Sequence, residues 1–142
     1  MSVDVFIDTN VLIDVLAKRE PFYADSAAVW TLAEQGRIKG FISVISFNNI
    51  YYVVRKLRTR RVADRMMLLL RDTFAAVPLD QRILDQAIDA GFKDLEDAIQ
   101  YFSAVRAGAA CIVSRDAGAF PRSDLPILTP GELLTTDRFE TS

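Results

Sequence analysis

Three stretches of the chain place acids where burial makes them costly. In VDVFIDTN (residues 3–10), four of the five residues from Val3 to Ile7 are apolar, and Asp8 follows where a strand should stop. In ACIVSRDAG (110–118), Asp116 follows another apolar run, and in DLEDAIQ (94–100), Asp94 and Asp97 stand three apart at the start of a helical pattern. A carboxylate drawn out of water costs several kcal/mol unless a hydrogen bond or a cation compensates it.

Each acid has a local reading of its own. Asp8 can cap a helix starting near Asn10, and Asp94 can cap the helix that follows it. Asp97 suits a first turn, and Asp116 a turn before Ala117 and Gly118. Taken together they point elsewhere. Several acids on one edge repel one another unless protons or a divalent cation neutralise them. The chain has no histidine, which excludes His-activated nucleophiles and His-ligated zinc. Oxygen donors alone favour Mg²⁺ or Mn²⁺.

The elements that would position these acids alternate along the chain. VDVFI reads as a first strand, followed by helical patterns over about 10–17 and 23–35, the second ended by Gly36. KGFISV is a second strand, and a helix returns with Ser46 as its expected cap and runs through IYYVVRKL. RTRRVADRMMLLLRDTF continues helically after a break. Residues 76–79 form a third strand, Asp80 caps QRILDQAIDAGF, and Gly91 ends it. The helix after Asp94 stops at Gly108. ACIVS and LPILT are the last strands, and Pro130 opens a short final helix.

Strands alternating with helices predict an α/β fold: a three-layer sandwich around a mainly parallel sheet of four or five strands. In such sheets functional groups collect at the carboxyl ends of strands, where Asp8 and Asp116 both fall.

At 142 residues and 51% hydrophobic content the chain is expected to form one domain, placed at 1–136 with a frayed tail at 137–142. One cysteine, Cys111, allows no internal disulfide, and the start lacks a secretory leader. No apolar run reaches the roughly 18 residues of a membrane span. These features predict a soluble, cytoplasmic protein.

FIDTNVLIDVL, ISVISFNNIYYVV, DLEDAIQYFSA and IVSRDAGAF, in that order and spacing, resemble the successive motifs of PIN-domain ribonucleases. The resemblance extends over nearly the whole chain and is greatest to the small bacterial VapC-like toxins. It implies a metal-dependent endoribonuclease with Asp8, Asp97 and Asp116 as catalytic, metal-binding acids. Thr9, Asn10, Ser114 and Arg115 fall beside them as supporting residues, Ser114 and Arg115 within reach of a phosphate. It also implies a homodimer and a cognate antitoxin. One position departs from the family pattern: where a glutamate is usual, this chain has Asn49, whose amide oxygen can ligate a metal but adds no charge. Asp94 and Asn49 are therefore further metal-ligand candidates. Glu96 is another acid nearby, although its place next to Asp97 turns it roughly 100° around the helix.

RNA approaching acids needs positive charge, and RKLRTRRVADR supplies Arg55, Lys56, Arg58, Arg60, Arg61 and Arg65. A solvated helix face is the competing account of that run. Trp30 and Cys111 read as core, Tyr51 and Tyr52 as packing or interface, and MMLLL as a buried helix or an oligomer surface. Two other functions fit parts of the pattern. Asp8 could be the nucleophile of a haloacid-dehalogenase-type phosphatase, which expects an acid where Asn10 stands. Alternatively, the chain could be a non-catalytic PIN-like module that binds RNA or protein, as Asn49 would suggest.

Overall fold

The computed structural model describes residues 2–120 and 124–136, so the expected frayed tail lies outside the described residues. The elements run β1 (Val3–Ile7), α1 (Thr9–Leu16), α2 (Tyr23–Glu34), β2 (Ile38–Ser43), α3 (Val44–Leu57) and α4 (Arg60–Thr73). They continue β3 (Ala75–Val77), α5 (Gln81–Asp89), α6 (Leu95–Ala107), β4 (Cys111–Val113), β5 (Ile127–Leu128) and α7 (Pro130–Leu134). The five strands form one sheet in the order β3-β2-β1-β4-β5, and every pairing is parallel.

Period-2 alternation divides the strand residues between two cores. Val5, Ile7, Ile38, Ile42, Cys111 and Val113 pack with α1, α2, α3, α4 and α7. Phe6, Val77 and Ile112 pack with α5 and α6 on the opposite face. The result is the expected three-layer α/β sandwich. Trp30 lies in the first core, edge-to-face on Phe74 with ring centroids 5.0 Å apart. Phe74 in turn covers Gly40 so closely that a Cβ there would stand 2.5 Å from the ring. Gly40→Ala is expected to cost about 1–3 kcal/mol, read as a lower urea midpoint at unchanged m-value.

Helix boundaries follow local capping. Asp8, Asp80 and Asp94 cap α1, α5 and α6 through their carboxylates. Gly108 takes the left-handed conformation at the end of α6, with φ 68°. The cap of α3 differs from expectation: Ser43 accepts from the Ile45 amide, and Ser46 is buried inside the helix. The reason is that β2 leads directly into α3, which starts one turn early. MMLLL is also more amphipathic than it reads, because Leu70 is buried while Leu68 and Leu69 are exposed. Among the described residues no helix is long and apolar enough to cross a membrane.

Candidate active site

Strand β1 pairs with β2 on one side and with β4 on the other. The chain therefore winds away from β1 in opposite directions, and the crevice at the carboxyl ends of β1 and β4 is the topological switch point of the sheet. Asp8 stands there, its amide donating to Val113 O at 2.9 Å across the two strands.

Asp8 is only 6% exposed, and three donors hold its carboxylate. Thr9 N donates to Oδ1 at 2.8 Å, Ser114 Oγ to Oδ2 at 2.8 Å and Asn10 Nδ2 to Oδ2 at 3.2 Å. A carboxylate offers about four lone-pair directions, so roughly one remains for an outside ligand. Burial raises the Asp8 pKa above the ordinary carboxylate value. The Ser114 and Thr9 hydrogen bonds oppose that rise, and the charges of Glu96 and Asp116 add to it.

Capping and chemistry therefore coexist at Asp8. Ser114 serves two acids, since its hydroxyl donates to Asp8 and accepts from the Asp116 amide at 3.1 Å. Asn10 orients Asp8 with its amide nitrogen, and its Oδ1 accepts from Arg115 N at 3.4 Å.

Asp97 is half-buried in the first turn of α6. Its carboxyl is pushed up to about 6, first by burial and then by the charges of Asp94, Asp8, Glu96 and Asp116. Asp116, exposed on the loop after β4, completes the electrostatic group. Among the described residues no three acids stand close enough to form a ready-made ion cage. They share one field without closing on a common point, as mutual repulsion between uncompensated carboxylates favours. The donor set is nevertheless hard oxygen throughout, and the raised carboxyls at Asp8 and Asp97 are those a divalent cation would relieve. In donor chemistry alone, hard oxygen is what Mg²⁺ or Mn²⁺ would take.

The Asp97 shift has a consequence in metal-free protein. The folded chain holds this proton more tightly than the unfolded chain, so the associated stability is fully present below about pH 4 and is lost as pH rises through about 6. Asp97→Asn should remove that decline. Discounted for partial exposure, it is expected to raise metal-free stability near pH 7 by about 1 kcal/mol. Urea unfolding of both proteins at about pH 4.5 and about pH 7 reads the difference.

Other expected site residues have different placements. Asp94 is exposed and caps α6 by accepting from Asp97 N at 3.1 Å. Asn49 Nδ2 donates to Glu96 Oε1 at 2.7 Å, tying α3 to α6. Arg115 pairs with a buried acid: its Nε donates to Asp14 Oδ2 at 2.6 Å and its Nη2 to Oδ1 at 3.2 Å. Its guanidinium also lies 4.1 Å from the Phe22 ring centroid. The basic residues Arg55, Lys56, Arg58, Arg60, Arg61 and Arg65 are all exposed, from the last turns of α3 into α4. The run follows the far end of α3, away from the helix start that carries the Ser43 cap. Arg60 pairs with Asp64 at 3.8 Å, and Lys56 covers the Tyr52 ring.

Sequence reasoning missed a polar knot beneath the acids. Thr9 Oγ1 and Ser46 Oγ are 2.7 Å apart, and Gln100 Nε2 donates to them at 3.0 and 3.1 Å. All three are buried. The knot joins α1, α3 and α6, the helices that carry Asp8 at the N-cap, Asn49 in the second turn and Asp97 in the first turn respectively. The available signal was polar type at an apolar register: Ser46, Gln100 and Asp14 each interrupt a buried face, and a buried polar group requires a partner.

The PIN domain family model matches residues 4–118. Ribonuclease VapC1 of Aquifex aeolicus (strain VF5) is 26% identical over 136 residues, covering 92% of this chain and 93% of that protein. A toxin-antitoxin complex from Klebsiella pneumoniae contains a chain of similar fold, with TM-score 0.68, 22% identity, and coverage of 89% of this chain and 97% of that one. VapC20 of Mycobacterium tuberculosis, a sarcin-ricin loop cleaving toxin, gives TM-score 0.67 at 11% identity, covering 86% of this chain and 98% of that one. With the family match spanning residues 4–118, most of its length, the chain belongs to the PIN-domain family.

Proposed function

We propose that the protein is a divalent-metal-dependent endoribonuclease that hydrolyses RNA phosphodiesters, and that it is the toxin of a toxin–antitoxin pair. The observation that carries this reading is the buried Asp8, electrostatically coupled to Asp97 and Asp116 at the switch point of a PIN-family sheet. The ribonuclease name of one relative and the toxin names of two structural neighbours support it.

Asp8, Asp97 and Asp116 would hold Mg²⁺ or Mn²⁺. When bound, the cation supplies positive charge against the developing phosphate charge and lowers the pKa of a water. The chain's own residues set the stage. Thr9 N, Ser114 and Asn10 fix Asp8 in one rotamer, which leaves about one lone-pair direction for the site. Ser114 also ties the Asp116 loop to β1 through Asp8. The exposed run from Arg55 to Arg65 gives an incoming RNA backbone a positive surface.

Leu57, Leu68 and Leu69 are exposed on the α3–α4 pair, and we assign that face to the homodimer. A non-catalytic PIN-like module is the competing reading, favoured by the lack of a ready-made ion cage among the described residues. Incubating structured RNA with purified protein and Mg²⁺ or Mn²⁺, beside an Asp8→Asn variant, separates the two. Cleavage by the parent alone supports the nuclease. RNA binding without turnover under any metal supports the module.

A further inference from the structure

We propose that the cavity between the start of α2 and the start of α7 takes an unpaired guanine base of an RNA strand. The inference rests on the ribonuclease reading and names a base that its substrate carries. The cavity holds about 160 Å³ and is lined by Phe22, Asp25, Ser26, Arg115, Pro130 and Gly131. Drug-sized ligands occupy roughly 300–1,000 Å³, so this space suits one planar ring. Hydrogen bonds through Asn10 connect it to Asp8: the amide nitrogen donates to Asp8 Oδ2 at 3.2 Å, and Oδ1 accepts from Arg115 N at 3.4 Å.

Charge narrows the occupant. Arg115 gives Nε and Nη2 to the buried Asp14, so its charge is already balanced. Asp25 adds an exposed carboxylate that has no counter-ion and accepts no hydrogen bond among the described residues. The cavity therefore disfavours a phosphate. Its walls suit a neutral ring that offers donors to Asp25 and an acceptor to Arg115 Nη1, which makes no hydrogen bond among the described residues. Of the four RNA bases only guanine presents two donors side by side, N1–H and the N2 amine, next to an acceptor, O6. A carboxylate accepts from the first two, and a guanidinium N–H donates to the third. A cationic side chain would also answer Asp25, but it would face the Arg115 guanidinium.

The remaining walls fit the same ring. Phe22 is 39% exposed and lies against the Arg115 guanidinium, 4.1 Å from the ring centroid, a flat surface of the kind on which bases stack. Gly131 keeps room for the acid, since a Cβ there would stand 3.0 Å from Asp25 Oδ2. Ser26 is fully buried and its Oγ has no partner among the described residues, leaving a hydroxyl for a polar ring edge to satisfy.

The test is fluorescence anisotropy on the purified full chain with a chelator present, using oligouridine strands that carry one guanosine, inosine or adenosine. The parent is expected to bind the guanosine strand about tenfold tighter than the adenosine strand, with inosine, which lacks the N2 amine, in between. Asp25→Asn replaces one accepting oxygen by a donor at an exposed position. It should reduce the preference for guanosine to within about twofold.

Equal binding of the three strands by the parent, or an undiminished guanosine preference in Asp25→Asn, overturns the guanine site and leaves the ribonuclease reading in place. Free guanosine bound as tightly as the guanosine strand overturns the assignment to RNA. An oligolysine peptide bound more tightly than that strand, and lost in Asp25→Asn, overturns it in favour of a cationic peptide. Absence of binding to every strand would instead overturn the ribonuclease reading on which the inference rests.

Discussion

Asp8→Asn is expected to lower Mg²⁺-dependent RNA cleavage by about 10²–10³-fold or more while making the metal-free protein more stable. The two effects have one cause. Burial and the charges of Glu96 and Asp116 disfavour the ionised form of Asp8, so the native fold tolerates that charge less well than the unfolded chain does. The amide has nearly the same shape and no charge. The Ser114 hydroxyl can donate or accept and so adapts to the amide, whereas Asn10 Nδ2, which donates to the same oxygen, loses its acceptor and offsets part of the gain. Added Mg²⁺ should raise the unfolding midpoint of the parent through binding to the native state and leave the variant unmoved. A variant that loses cleavage and also unfolds at lower temperature in metal-free buffer would mean that Asp8 is a structural cap whose loss disables the protein indirectly.

Arg115→Met should produce the opposite pattern: a large loss of stability with no charge removed from the site. Asp14 is 0% exposed, and its one salt bridge among the described residues is with Arg115, at 2.6 Å. Removing one partner of a buried pair leaves the other uncompensated, at a cost of about 3–5 kcal/mol. The cation–π contact with Phe22 contributes roughly a further 0.5–1 kcal/mol. For a domain of this size the thermal midpoint should fall by roughly 10–20 °C.

The double variant Asp14→Leu with Arg115→Met should recover most of the loss, because a well-packed apolar pair can replace a buried ion pair with little net cost. Circular dichroism during urea unfolding measures both. Were Arg115 instead a phosphate contact, the single variant would keep its stability and lose only RNA affinity.

The layers of the fold were legible because the strand runs are continuous and apolar, and because Gly36, Gly91 and Gly108 punctuate the helices. Among caps, Asp8, Asp80 and Asp94 could be read from residue type, but the start of α3 could not. Ser43 and Ser46 are equally good capping residues, and only the point where β2 ends decides between them. Asp8 and Asp116 could be placed on one edge by the strand-end rule alone. What sequence could not supply is direction. Helical phase turned Glu96 away from Asp97, and its tertiary contact with Asn49 of α3 was not legible in the local sequence of either residue. Arg115 beside Asp116 suggested a phosphate contact, and its pairing with the buried Asp14, 101 residues earlier in the chain, was not legible from spacing. Local spacing cannot show a partner that the fold brings from so far away.

The central claim is that the Asp8 carboxylate group binds a divalent cation and thereby cleaves RNA. The most direct measurement is a cleavage time course on a structured RNA with purified protein, interrupted by a chelator and then restored with excess Mg²⁺ or Mn²⁺, with Asp8→Asn run alongside. The expected record is cleavage by the parent that stops on chelation and resumes when the cation returns, with none by the variant. Cleavage that continues through chelation, or proceeds equally in parent and variant, would contradict the account.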